Sequence, residues 1–265
     1  MYEYISWFIG VPYATPPINS LRFRKTVKAK PWLGVRRATK FGYVCPQNYT
    51  GGTLKYIENE DCLFLNIYSP TQEVKNKTYF PVMVFIHGGS YLVGSGNTFQ
   101  GDTLAQHGVV VVTINYRLGV LGFLSAKNSI LKGNYGLHDQ IEALKWIQEN
   151  IRSFGGDPNQ VTIFGNSAGG SSVGILSYSP AAKGLFKQAI MQSGSASAFW
   201  AQHTNDSIDY EHYVRSMANY VGCRHDPFED LVECLRQVPC YNLDFNKMQS
   251  EKAVRSLQIL LDCCI

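Results

Sequence analysis

Gly165-Asn166-Ser167-Ala168-Gly169 stands between a short apolar run, Gln160 to Phe164, and a stretch of small residues reaching about Leu176. The pattern is G-x-S-x-G, and its setting predicts a strand, a sharp turn and a helix. Such a turn lifts the serine hydroxyl clear of the sheet. Glycines suit the flanking positions because a side chain there would strike the neighbouring strands. The helix N-terminus sets a positive partial charge beneath the serine oxygen. The same five residues also occur as an ordinary Ser-Gly loop, so the surrounding sequence has to decide.

Upstream, Cys62 to Tyr68 reads as a strand stopped at Pro70, and Pro81 to His87 as a buried strand stopped by Gly88-Gly89. Val109 to Tyr116 is β-branched almost throughout, as a central parallel strand covered on both faces should be. Asp139 to Ile151 has helical periodicity, with Ile141, Leu144, Lys145 and Gln148 spacing out one face, and Phe154 to Pro158 breaks it. Downstream, Lys187 to Gln192 reads as a strand, and Tyr210 to Val221 and Phe228 to Leu235 read as helices. The alternation predicts an α/β fold with a mostly parallel sheet.

His87-Gly88-Gly89-Ser90 follows one of these strands and resembles an H-G-G-G loop of the kind that offers backbone N–H donors to a developing oxyanion. Ser90 replaces the third glycine. It keeps the N–H but adds a Cβ. His87 reads as a core residue bracing the loop, because a position just before the glycines is poor for a catalytic base.

The formal net charge of +4 is too weak to imply nucleic acid. The Lys and Arg residues are scattered, and the nearest clusters, Arg22–Lys30 and Arg36–Lys40, read as solvated loops. Seven cysteines stand without a CxxC pair or zinc-like spacing, so neither a metal nor an organic cofactor is expected. The sequons at Asn48, Asn76 and Asn205, beside cysteines, favour the secretory pathway and an extracellular or cell-surface location. The start of the chain lacks a signal peptide pattern, and no apolar run has the length of a membrane span. Any such signal or membrane anchor is therefore expected outside this chain.

Two longer stretches carry a resemblance. Phe154 to Gly169 is similar to the serine signature of type-B carboxylesterases, the cholinesterase-like family, and Glu60 to Pro70 is similar to that family's second signature. Within the family, His87 to Tyr91, Gly94 to Asn97, Gly133 to Gly136 with Asp139 to Ile141, and Gly184 to Phe186 leading to Gln192-Ser193-Gly194 resemble the neuroligins, its cell-adhesion members. The resemblance implies an α/β-hydrolase fold, with Ser167 as nucleophile and the amides of Gly89, Ser90 and Ala168 as oxyanion hole. It also implies disulfides Cys45–Cys62 and Cys223–Cys234, leaving Cys240, Cys263 and Cys264 without obvious partners.

Two functions follow as expectations. One is a surface adhesion protein, part of a dimer in its parent, binding an extracellular neurexin-like partner. The other is a serine carboxylesterase acting on a small ester. Vertebrate neuroligins have lost the nucleophilic serine, whereas Ser167 is present. Cholinesterases place a choline-binding tryptophan in the loop between Cys45 and Cys62, and here only Tyr49 and Tyr56 are aromatic. The order in such enzymes is serine, acid, histidine. His203, His212 and His225 match no histidine loop of the family, and Glu229, Asp230 and Glu233 read as the solvated side of a helix. Residues 1–265 are expected to form one truncated domain, inactive as it stands, with residues 247–265 departing from the family pattern.

Overall fold

The computed structural model describes residues 2, 4–47, 56–71, 79–198, 200–201 and 209–243. The expected tail at 247–265 lies outside them, as do Asn48, Asn76, Asn205, Tyr49, His203, Cys263 and Cys264.

Among the described residues six strands form one sheet: β1 (Ile5–Pro12), β2 (Phe64–Pro70), β3 (Phe80–Ile86), β4 (Val110–Ile114), β5 (Gly156–Asn166) and β6 (Gln188–Gln192). Their spatial order is β1-β2-β4-β3-β5-β6. The strands β4, β3, β5 and β6 run parallel, and β1 and β2 join antiparallel at one edge. The helices are α1 (Asp102–Ala105), α2 (Gly119–Phe123), α3 (Tyr135–Asn150), α4 (Ala168–Tyr178), α5 (Tyr210–Tyr220) and α6 (Phe228–Gln237). This is the expected α/β architecture, mixed but mostly parallel.

Alternate residues of the central strands build the main core. Val82, Val84 and Ile86 of β3, with Val112 and Ile114 of β4 and Val161 and Ile163 of β5, pack with Leu137, Ile141, Leu144 and Ile147 of α3. Val173 and Leu176 of α4 complete that layer. A second cluster joins α2 to the amphipathic α5 and α6 through Leu121, Val214, Met217, Leu231 and Leu235.

Two boundaries and one helix face differ from the sequence reading. Helix α3 begins four residues before Asp139, and Asn134 precedes it with φ 59° and no side-chain cap, so no capping signal marks the start. Lys145 is exposed rather than on the apolar face, where Ile147 stands instead. Strand β5 begins at Gly156 and contains Pro158, which was expected in the break. The ladder with β3 skips from Gly156 to Val161, so Pro158 sits where no strand partner needs an N–H.

Among the described residues two disulfides staple the loops, Cys45–Cys62 and Cys223–Cys234. They are the two pairings that the resemblance implied.

Candidate active site around Ser167

Strand β5 ends at Asn166 and helix α4 starts at Ala168, so Ser167 is the whole turn between them. Its backbone has φ 55° and ψ −123°, a left-handed φ that a side chain rarely adopts. Two backbone bonds hold it there. The Ser167 N–H donates to the Gln192 carbonyl at 2.8 Å, and the Ser167 carbonyl accepts from the Ser171 N–H at 2.9 Å. Gln192 belongs to β6, so the far edge of the sheet fixes the turn.

The loop after β3 lies against this turn. A Cβ on Gly88 would stand 2.4 Å from the Asn166 carbonyl oxygen and 3.2 Å from the Ser167 Cβ, so only glycine fits. A Cβ on Gly169 would stand 2.0 Å from the Ile86 carbonyl oxygen, which ties the first turn of α4 to the end of β3. Beyond Gly88 the chain turns through Gly89, Ser90 and Tyr91, all at positive φ. Leu92 and Val93 both donate to the Gly89 carbonyl and close the turn. Among the described residues, the N–H groups of Gly89, Ser90 and Ala168 donate to no protein acceptor. Backbone donors with no protein partners, on the loop and the helix start that meet at the Ser167 turn, suit a negatively charged oxygen.

His87 is buried, 1% exposed, and it does not face the serine as a base. Its Nδ1 lies 2.8 Å from the Gly88 carbonyl oxygen, and its ring stacks on Tyr116 with centroids 4.4 Å apart. Burial pushes its pKa down to about 4, against a smaller upward pull from the Gly88 carbonyl, so it is neutral at physiological pH. The remaining described histidines also lie elsewhere, and His107, just after α1, is exposed. His225 is exposed, and His212 follows the Asp209 cap of α5. His138, half-buried on α3, has its pKa lowered to about 4 by burial and then by Lys25. Glu229, Asp230 and Glu233 are exposed along α6, as expected. Among the described residues, the Ser167 hydroxyl therefore has neither a base nor an acid beside it.

A cavity of about 780 Å³ opens next to the turn, bordered by Gly88, Gly89, Asn166 and Gln192. Val44, Gln47 and Tyr56 reach it from the loop held by Cys45–Cys62. Among the described residues no charged side chain lines it, and burial raises the Tyr56 pKa, which keeps that hydroxyl neutral.

The sequence reading missed three participants. Tyr116 donates to the His87 carbonyl at 2.8 Å, Gln192 anchors Ser167, and a Cβ on Gly194 would stand 2.2 Å from the Ser167 carbonyl oxygen. Gln192 and Gly194 carried a signal, since Gln192-Ser193-Gly194 was part of the likeness, but nothing local tied them to Ser167.

Comparison with known proteins places the chain in a family. Human Neuroligin-2 is 43% identical over 275 residues, covering 89% of this chain and 32% of its own length. Mouse (Mus musculus) Neuroligin-3 is 42% identical over 275 residues, covering 88% of the chain and 33% of its own length. Esterase E4 of Myzus persicae is 47% identical over 235 residues, covering 88% of the chain and 42% of its own length. The chain thus spans about a third of the neuroligins it matches. The description "Carboxylesterase family" fits residues 2–261. One family accounts for nearly the whole chain, and the protein is a member of the carboxylesterase family.

Proposed function

We propose that the protein of which this chain is a part is a neuroligin-like cell-surface adhesion protein, exposed on the extracellular side and binding a neurexin-like partner. The observation that carries this reading is Ser90. It follows His87-Gly88-Gly89 at φ 56° and carries a side chain where the third glycine of a hydrolase loop stands. The similarity to Neuroligin-2 and Neuroligin-3 supports the same branch. Two disulfides suit an oxidising compartment. Cells displaying the parent protein should aggregate with cells displaying a neurexin ectodomain. No aggregation, with normal surface display, would remove the reading.

A second reading is favoured by Ser167 itself. Its left-handed φ and the three unpartnered N–H donors support reading it as the serine half of an ester hydrolase. The serine oxygen would attack the ester carbonyl, the alcohol would leave with a proton, and the Gly89, Ser90 and Ala168 amides would stabilise the tetrahedral oxyanion. A base outside the described residues would have to take the serine proton. The uncharged cavity favours a neutral ester over a cationic one. A fluorophosphonate probe should label Ser167 in the parent if this chemistry survives, and an unlabelled Ser167 would sink it.

A further inference from the structure

We propose that the loop over residues 30–37 is a membrane-contact loop that seats its apolar tip in an anionic lipid surface.

The segment from Arg22 to Lys40 contains eight Lys or Arg and no Asp or Glu, while the whole chain carries only +4. Every residue from Lys30 to Arg37 is exposed. At the tip, Leu33 is 102% exposed and Val35 98%, with Trp32 at 45%. Gly34 between them has φ +75° and nothing within 4 Å of a Cβ built on it, so the bend stands free of the body. The stem, by contrast, is fixed. Thr15 bonds to the carbonyls of Val27 and Lys28 on one side, and Ile9 bonds to the Ala38 carbonyl on the other.

The charges ring the apolar tip. Lys28, Lys30, Arg36, Arg37 and Lys40 are all exposed; among the described residues Lys28 pairs with Glu149, and burial raises the pKa of Asp61 while Arg36 is near enough to lower it in part. The Arg36 guanidinium lies 5.8 Å from the centre of the Trp32 ring, which places an aromatic and a cation together at the edge of the tip. Single exposed apolar residues are ordinary on a protein surface. A tryptophan, a leucine and a valine on one protruding bend, rimmed by cations, form the pattern of an interfacial anchor.

Size and charge select the occupant. A stable protein interface buries about 800 Å² per partner, far more than three side chains on a bend supply. A bilayer accepts so small a wedge, and each basic residue near an anionic leaflet strengthens partition roughly fivefold. A soluble polyanion would use the cations but leave Leu33 and Val35 in water.

The test is density-gradient flotation of the 265-residue chain, in which vesicles rise and aggregates sink. The chain should float with phosphatidylcholine vesicles containing about a third phosphatidylserine and stay below with phosphatidylcholine alone. The double variant Leu33→Ser with Val35→Ser, at positions that touch nothing in the body, should lower the floated fraction about tenfold while leaving retention on heparin beads unchanged. Brominated acyl chains should quench a tryptophan signal that disappears in Trp32→Phe. Absence of flotation would overturn the proposal, and so would flotation of the double variant equal to that of the unaltered chain. Retention on heparin without flotation would assign the surface to a soluble polyanion instead.

Discussion

The Tyr116 hydroxyl donates to the carbonyl of His87 at 2.8 Å while its ring stacks on the His87 imidazole. Tyr116 follows β4 and His87 follows β3, so two adjacent parallel strands meet at the root of the loop that faces Ser167. The pair sets where that loop leaves the sheet. Tyr116→Phe keeps the stacking and removes the donor, leaving a buried carbonyl without its partner. The expected loss is about 1–3 kcal/mol of unfolding free energy, read from the urea midpoint. A midpoint that does not move would mean that the bond contributes nothing net.

The pH dependence of stability should show the same pair. The folded pKa of His87 is about 4, below the ordinary value of 6.5, so the unfolded chain binds the proton more tightly. Stability is then full above about pH 6.5 and falls as pH drops toward 4, by roughly 3 kcal/mol for a shift of this size. His138, lowered to about 4 as well, acts in the same direction. Unfolding measured between those pH values should steepen toward acid, and His138→Gln should remove part of the slope. A flat profile would show that neither imidazole is held neutral.

Gly88 offers a test at the site that leaves the serine itself in place. A Cβ there would press on the Asn166 carbonyl at 2.4 Å, and backbone on both sides has no room to yield. Gly88→Ala should displace the loop from the Ser167 turn and lower any fluorophosphonate labelling of Ser167 in the parent by about 10²-fold, the loss expected for one misplaced oxyanion donor. Gly34→Ala, in open space, is the control and should leave labelling unchanged. Equal labelling in both variants would separate the His87–Ser90 loop from the chemistry.

How much of this was legible beforehand depended on whether a signal was local. The turn at Ser167 was legible because one short stretch carries strand, glycines, serine and helix in order. The end of β3 was legible because Gly88-Gly89 stops an apolar run. The start of α3 was not, because Asn134 makes no capping bond and so leaves no residue pattern. The anchoring of Ser167 by the Gln192 carbonyl was not either, since a backbone acceptor is indifferent to the residue that bears it. The tip at Leu33 and Val35 was passed over because exposure is decided by the fold, and charge counts alone described that loop as solvent-facing.

The Cys223–Cys234 bond closes the turn between α5 and α6 with a sequence separation of 11. Converting both to alanine frees that loop in the unfolded chain, and the chain-entropy estimate puts the loss at about 3 kcal/mol. The second core cluster should loosen first, because Cys223 itself packs in it with Val214 and Leu231. Hydrogen exchange should then quicken across α5 and α6 before it does in β3 and β4.

Strand β6 gives the last expectation, concerning the chain in solution. Each of its five residues is exposed, including Ile190 at 44% and Met191 at 49%, and among the described residues β6 pairs with β5 alone. Its free side presents unpaired backbone groups beside apolar side chains, which is how sheets recruit one another. The 265-residue chain should therefore self-associate at micromolar concentration. Ile190→Lys with Met191→Lys should shift sedimentation toward the monomer, since charges on an edge strand repel a second copy. If the unaltered chain sediments as a monomer and unfolds cooperatively, the edge is protected by residues outside those described. If the lysine variant associates as strongly as its parent, the contact lies elsewhere on the surface.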